Sequence, residues 1–188
     1  MPLRDLIIVG AGPSGLSAAI AAKRYGLDYH VIEQGALVNS IYRFPPQMVF
    51  FTTPELLEIG GLPFISPYEK PTRVEALRYY RRVVDAFDLR IAFQETVRRI
   101  ERSTGRGNAG LAGLAGQAGG AGGEEHVFTL ETETVRGERH VWHARHVLLA
   151  IGYYDRPVRL GIPGEDLPHV HHYYTEPYAH YRQRVVIV

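Results

Sequence analysis

Six residues near the start of the chain, Gly10-Ala11-Gly12-Pro13-Ser14-Gly15, carry the most specific chemistry legible in the sequence. In this G-x-G-x-x-G spacing the first glycine permits a tight turn and the second lets backbone approach a pyrophosphate. The third lets a helix lie close to a strand. Free amides at the start of that helix, with its positive dipole end, would face the phosphates. Eighteen residues after Gly15, Glu33 is placed to accept hydrogen bonds from ribose hydroxyls. A 2′-phosphate would be repelled there, and Gln34 supplies no compensating cation. The site so read prefers the adenosine of FAD or NAD to that of NADP. Glycines fall at this spacing by chance in loops, so the reading depends on their surroundings.

Those surroundings form one βαβ unit. Leu6-Ile7-Ile8-Val9 is an apolar run without alternation, as expected of a parallel strand buried on both faces, and it leads straight into the glycines. Leu16, Ala19, Ile20 and Lys23 then follow helical spacing, with Gly26 placed to stop the helix. A second strand, Tyr29-His30-Val31-Ile32, ends at Glu33. In that context the glycines point to nucleotide binding. Val147-Leu148-Leu149-Ala150-Ile151-Gly152 reads as another buried parallel strand, whose terminal glycine again lets backbone approach a ligand.

Between these strands, Thr72 and Glu75 form a capping-box pattern behind Pro71. It opens an amphipathic helix that ends near Asp88, with Val74, Leu77, Val84 and Phe87 as the apolar stripe. Arg73, Arg78, Arg81 and Arg82 lie off that stripe and are expected to be solvated. Leu89 to Phe93 reads as the next strand. Residues 39–54 read as irregular chain, since Pro45 and Pro46 preclude a central strand. Their aromatics Tyr42, Phe44, Phe50 and Phe51 either pack onto the core or, with Thr52 and Thr53, wall a flat aromatic ligand. Val97 to Arg102, His126 to Glu131 and Arg139 to Trp142 read as three strands of a small antiparallel meander. The expected class is therefore α/β, a Rossmann-like domain with a parallel sheet plus that β-meander. Between Gly105 and Gly123, 9 of 19 residues are Gly and 5 are Ala, so 103–123 is expected to be a flexible insertion that carries no chemistry.

Composition sets limits on this reading. The 188 residues leave room for one domain, or for a large domain with a fragment of a second. An apolar share of 45% and a charged share of 22% describe a globular protein able to bury a core. A net charge of +1 argues against a nucleic-acid binder that relies on bulk positive charge. With no cysteine, disulfide frameworks, thiolate zinc sites, iron–sulfur clusters and Cys-x-x-Cys redox pairs are excluded for this chain. No metal site is expected: His140 and His143 would project to opposite faces of a strand, and His171 and His172 diverge in extended chain. Ser14 lacks the G-x-S-x-G elbow of a hydrolase nucleophile. The uncharged run Leu6–Ala22 is broken by glycines and a proline, so neither an export signal nor a membrane span is expected, and the expected location is the cytoplasm. At the other end, Arg182-Gln183-Arg184-Val185-Val186-Ile187-Val188 repeats the form of Arg4–Val9. Residues 182–188 are read as the first strand of a truncated second dinucleotide domain, after a first domain of residues 1–181.

Two such motifs about 180 residues apart, with a meander between them, resemble the FAD/NAD(P)H pyridine nucleotide oxidoreductases. Leu148-Leu149-Ala150-Ile151-Gly152 is similar to their second FAD fingerprint, with Ile151 where Thr is usual. Within that superfamily the segments Ser40-Ile41-Tyr42, Phe50-Phe51-Thr52, Ile59-Gly60, Leu62-Pro63-Phe64, Lys70-Pro71 and Tyr79-Tyr80-Arg81 resemble the bacillithiol disulfide reductase family. Gly152-Tyr153-Tyr154 and Pro163-Gly164 continue the match. The resemblance implies an FAD enzyme that passes hydride from NADPH through flavin to a low-molecular-weight thiol disulfide such as bacillithiol disulfide. It implies that Gly10, Ala11, Gly12, Pro13, Ser14, Gly15, Glu33, Gln34, Ser40, Ile41, Val97, Ala150, Ile151 and Gly152 line the FAD. NADPH would bind outside this chain, and the FAD-binding part would show little or no turnover alone. Members of that family often carry Cys where this chain has Ser14, and a serine forms no mixed disulfide. No catalytic residue is assigned. The implied partner is a small-molecule substrate, with homo-oligomerisation left open. A flavin-dependent monooxygenase of the same architecture and a non-catalytic nucleotide-binding module stand as the alternatives.

Overall fold

The central strand β1 (Leu3–Val9) can be buried from both sides, and in the computed structural model, which describes residues 1–104 and 126–187, it is: Ile8 packs into one core and Ile7 into another across the sheet. β1 pairs in parallel with β2 (Tyr29–Glu33) on one side and β6 (Arg139–Leu149) on the other. β3 (Ile91–Phe93) extends the sheet beyond β2. β5 (His126–Thr134) and β4 (Glu95–Thr104) extend it antiparallel beyond β6. The result is a six-stranded mixed sheet in the order β3-β2-β1-β6-β5-β4, a Rossmann-like α/β arrangement.

The meander is not a separate unit. β6 is continuous: residues Arg139–Ala144 pair antiparallel with β5, and His143–Leu149 run parallel to β1. The expected third meander strand and the expected returning strand are therefore one element. No glycine or proline lies between Trp142 and Val147 to break it. The expected insertion also starts too early, because Ser103 and Thr104 still pair with Val127 and His126. The rest of that Gly/Ala-rich segment lies outside the described residues.

One face of the sheet is covered by α1 (Pro13–Arg24) and α3 (Arg73–Phe87), whose Leu16, Ile20, Tyr80 and Val83 bury against Ile8 and Val31. The capping box of α3 is present: Thr72 Oγ1 accepts from the Glu75 amide at 3.3 Å, and Glu75 accepts from the Thr72 amide at 2.8 Å. Its buried stripe is Ala76, Tyr79, Tyr80 and Val83, while Val74 is 44% exposed. The expected stripe is thus rotated toward the tyrosines. Their hydroxyls find backbone partners, which removes the penalty of burying them. Tyr80 donates to the Leu57 carbonyl at 3.1 Å, and Tyr79 donates to that of Leu62 at 2.9 Å. Burial, with Tyr79 alongside, pushes the Tyr80 hydroxyl up to about 12. Arg73 is not simply solvated. It donates to the carbonyls of Ile41 and Tyr42, holding a short helix α2 (Asn39–Arg43) where irregular chain was expected.

On the other face, Ile7 and Ile32 pack against Leu130, Trp142 and Ala144 of the antiparallel arm. The His30 ring of β2 stacks on Trp142 with centroids 4.6 Å apart. After β6 the chain is irregular and mostly exposed. Residues 182–187 pair with no strand, and Val186 and Ile187 are 85% and 94% exposed. A parallel strand needs a neighbour to bond with, and among the described residues none lies beside this one.

Candidate functional site

The carboxyl ends of β1, β2 and β6 converge because all three run in parallel, and the crevice beyond such strand ends is where open α/β sheets place ligands. A cavity of about 1040 Å³ opens there. Ligand sites for small molecules span roughly 300–1,000 Å³, so this one has room for a dinucleotide. β1 and the start of α1 contribute Val9, Gly10, Gly12, Pro13 and Ser14, and β2 contributes Ile32, Glu33 and Gln34. The turn and α2 add Val38, Asn39, Ser40 and Ile41, and β4 adds Glu95 to Arg98. Leu148 to Tyr153, Asp155 and Arg156 complete the wall.

Of the fourteen residues expected at the site, all but Ala11 and Gly15 line this cavity. Those two lie behind it. Ala11 is fully buried, and its amide donates to Glu33 Oε2 at 2.7 Å. A Cβ on Gly15 would sit 1.9 Å from the Gly10 carbonyl oxygen, so this glycine serves helix–strand packing rather than a ligand.

Gly12 behaves oppositely. A Cβ there would meet nothing within 4 Å, although the residue lies at the N-terminus of α1 beside the cavity. No side chain caps that N-terminus, and no acidic residue occupies its first turn. Unfilled space, uncapped amides and the positive dipole end together make a cradle suited to a diphosphate. Gly10 adopts φ +107° and packs against Ala150, and the Ala150 amide donates to the Val9 carbonyl at 2.8 Å. The two fingerprint strands are thereby locked together at the cavity floor.

Glu33 is more committed than its sequence position suggests. Its two oxygens accept from the amides of Ala11 (2.7 Å) and Gly35 (2.8 Å), and the residue is 5% exposed. It therefore braces the glycine turn, while each oxygen keeps a lone pair for a hydroxyl.

Sequence reasoning missed Glu95, a carboxylate 4% exposed on the cavity wall. Its Oε1 accepts from Trp142 Nε1 at 2.8 Å, from Thr132 Oγ1, and lies 3.2 Å from His140 Nδ1. Burial alone would raise this group, but the bonds from Thr132, Trp142 and His140 outweigh it and hold the carboxyl below its ordinary range. The available signal was an acid two residues before Val97, on the inward face of an alternating strand. Its three partners lie on other strands and left no local trace. Asp155 was missed as well, since it follows the fingerprint strand in chain without periodicity. The aromatics offered as a ligand wall do not line this cavity. Phe44 and Phe50 pack on the core, and Phe51 is 90% exposed.

Comparison with known proteins agrees with this geometry. The family described as pyridine nucleotide-disulphide oxidoreductase matches residues 7–108 and 124–188. Bacilliredoxin reductase Bdr of Bacillus subtilis (strain 168) is 42% identical over 182 residues, which cover 97% of this chain and 48% of that protein. The solved structure of bacillithiol disulfide reductase Bdr (YpdA) from Bacillus cereus has a TM-score of 0.80 at 35% identity, covering 94% of this chain and 48% of its own. The Staphylococcus aureus structure of the same name has a TM-score of 0.79 at 35% identity, covering 96% and 48%. The chain spans about half the length of the curated relatives it matches.

Proposed function

The chain belongs to the pyridine nucleotide-disulphide oxidoreductase family, and from that premise we propose that it is the FAD-holding part of an NAD(P)H-dependent flavin oxidoreductase. The proposed acceptor is a low-molecular-weight thiol disulfide such as bacillithiol disulfide. That part of the reading rests on the likeness to bacilliredoxin reductase and bacillithiol disulfide reductase. The observation that carries the cofactor assignment is the unfilled space at Gly12 beside the uncapped start of α1.

When bound, flavin supplies hydride acceptance and donation at its ring, and the protein supplies position and electrostatics. The amides at the start of α1 bind the diphosphate. Glu33 accepts from the adenosine ribose and repels a 2′-phosphate. Val97, partly buried on the cavity wall, would offer apolar surface to the ligand, and Ala150 to Gly152 would bring backbone close to it. Ser14 lies in the first turn of α1 on the cavity wall, where its hydroxyl adds a hydrogen-bond donor but no redox thiol. With no cysteine in its 188 residues, this segment forms no mixed disulfide, and the reduction of a disulfide acceptor does not pass through its side chains.

The test is optical. Full-length protein should carry, or take up, the absorbance of oxidised flavin, lose it on adding NADPH, and regain it under anaerobic conditions on adding bacillithiol disulfide. Absence of flavin even after reconstitution would overturn the cofactor assignment. Reoxidation only by oxygen, coupled to hydroxylation of an organic substrate, would overturn the proposed acceptor.

A further inference from the structure

The segment that follows β6 crosses back to the opposite wall of the cavity and is tied there by a single carboxylate. Asp155 Oδ2 accepts from Gln34 Nε2 at 3.0 Å, and Asp155 Oδ1 accepts from Arg43 Nη1 at 3.1 Å. Gln34 directly follows β2, and Arg43 is the last residue of α2. One side chain thus joins the segment after β6 to two positions 121 and 112 residues earlier in the chain. The Asp155 side chain is 26% exposed and that of Arg43 58%, so solvent reaches both bonds and each is of modest strength.

The neighbouring residues hold the same geometry. Tyr154 packs edge-on against Phe44 with centroids 4.9 Å apart, and its carbonyl accepts from the Tyr173 hydroxyl at 2.7 Å. Gly152, at φ +66°, provides the left-handed turn that swings the chain away from the strand. Gln34, Tyr153, Asp155 and Arg156 all line the cavity, so a ligand lying between the glycine turn and this segment is enclosed by the tie.

We propose that Asp155 is a latch, a positioning residue that holds Tyr153–Arg156 against the β2 and α2 walls and sets how fast the bound dinucleotide leaves. The inference rests on the reading of the cavity as an FAD site. Asp155 takes no part in hydride transfer. Its effect falls on release, because the segment must part from Gln34 and Arg43 before the ligand can withdraw past it.

The experiment measures FAD release from the full-length protein by the recovery of free-flavin fluorescence on dilution. It compares wild type, Asp155→Ala, Arg43→Gln and the double variant. Two solvent-exposed ionic or charge-assisted bonds should slow release by roughly twofold to fivefold, so Asp155→Ala should release that much faster. Arg43→Gln should give a smaller change in the same direction. The double variant should match Asp155→Ala, since both substitutions break one tie. Melting temperatures of the flavin-free proteins should fall by no more than about 4 °C, and the rate of FAD association should stay unchanged, a result that a distorted site would not give. Unaltered release in Asp155→Ala, multiplicative effects in the double variant, or slowed FAD association would each overturn the latch. A wild-type protein that takes up no FAD would overturn the cofactor reading as well, so the two failures are distinguishable.

Discussion

At the scale of single residues, the three motif glycines separate into two jobs that a substitution series can tell apart. Gly12 has φ −75° and open space where a side chain would go, so the fold itself does not demand glycine there. Gly12→Val should therefore cost no more than about 1 kcal/mol of ligand-free stability, the scale of an altered helix N-cap. It should weaken FAD binding on the order of 100-fold, since two charge-assisted hydrogen bonds of about 1.5 kcal/mol each are lost when the diphosphate is displaced. Gly15→Ala should do the reverse, because its Cβ would stand 1.9 Å from the Gly10 carbonyl oxygen. Overpacking of that kind costs about 1–3 kcal/mol or more, visible in thermal melts without any ligand. Equal stability loss in both variants would show that Gly12 is structural. The spacing with its flanking strand and helix announced this motif, because strand, turn and helix starts are local events. It could not show that Glu33 spends one bond from each oxygen on the backbone, since Ala11 and Gly35 reach that carboxylate only once the turn has closed.

At the scale of elements, a polar hub that titrates ties β4, β5 and β6 together around Glu95 and meets β2 at Trp142. His30 stacks on Trp142, and burial, with Arg4 and Arg90 nearby, holds its imidazole below the ordinary 6.5. The unfolded chain takes up that proton first, so His30 leaves stability intact above about pH 6.5 and erodes it as pH falls below that value. Glu95 is held below its ordinary 4.5, so its contribution is present above that value and is lost as pH drops through the folded one. Melting temperature against pH should show two successive acid losses. His30→Phe, which keeps the stack, should weaken the first, to which the partly buried His143 also contributes. Glu95→Gln should weaken the second, to which Glu75 also contributes, and cost about 1–3 kcal/mol at neutral pH, because the three groups around Oε1 then meet a neutral amide oxygen instead of a carboxylate. A single loss unaffected by either change would refute this account. Trp142 is the chain's only tryptophan, so its emission reports on the hub directly. The capping box gives a simpler expectation: Thr72→Ala should cost about 1 kcal/mol in stability. That box was legible because Thr72 and Glu75 lie within one turn. The joining of the meander to the returning strand was not legible, since β6 changes partners midway and its sequence carries no mark at the crossing. The α3 stripe was displaced for a similar reason, because the tyrosine hydroxyls depend on carbonyls at Leu57 and Leu62.

At the scale of the molecule, the cavity is built from ends rather than from any one element: the carboxyl ends of β1, β2 and β6, the starts of α1 and α2 and the start of β4. A ligand there touches both sides of the sheet's topology, and its binding free energy should support the fold as a unit. α2 is the weakest part of that ring, five residues long and held by Arg73 through the Ile41 and Tyr42 carbonyls. FAD at about 1,000 times its dissociation constant should stabilise the protein by roughly 4 kcal/mol. For a domain of this size that corresponds to a rise in melting temperature of about 8–16 °C. Arg73→Ala should loosen α2 and reduce that rise by weakening binding, while leaving the flavin-free melt of the sheet and α1 nearly unchanged. Differential scanning calorimetry with and without FAD separates the two effects. Hydrogen exchange then locates them, with protection gained on binding at the amides of Gly12, Ser14 and Gly15, of Asn39 to Arg43 and of Ala150 to Gly152 together. Protection confined to one of these segments would mean that the cavity does not close on its ligand as a single site.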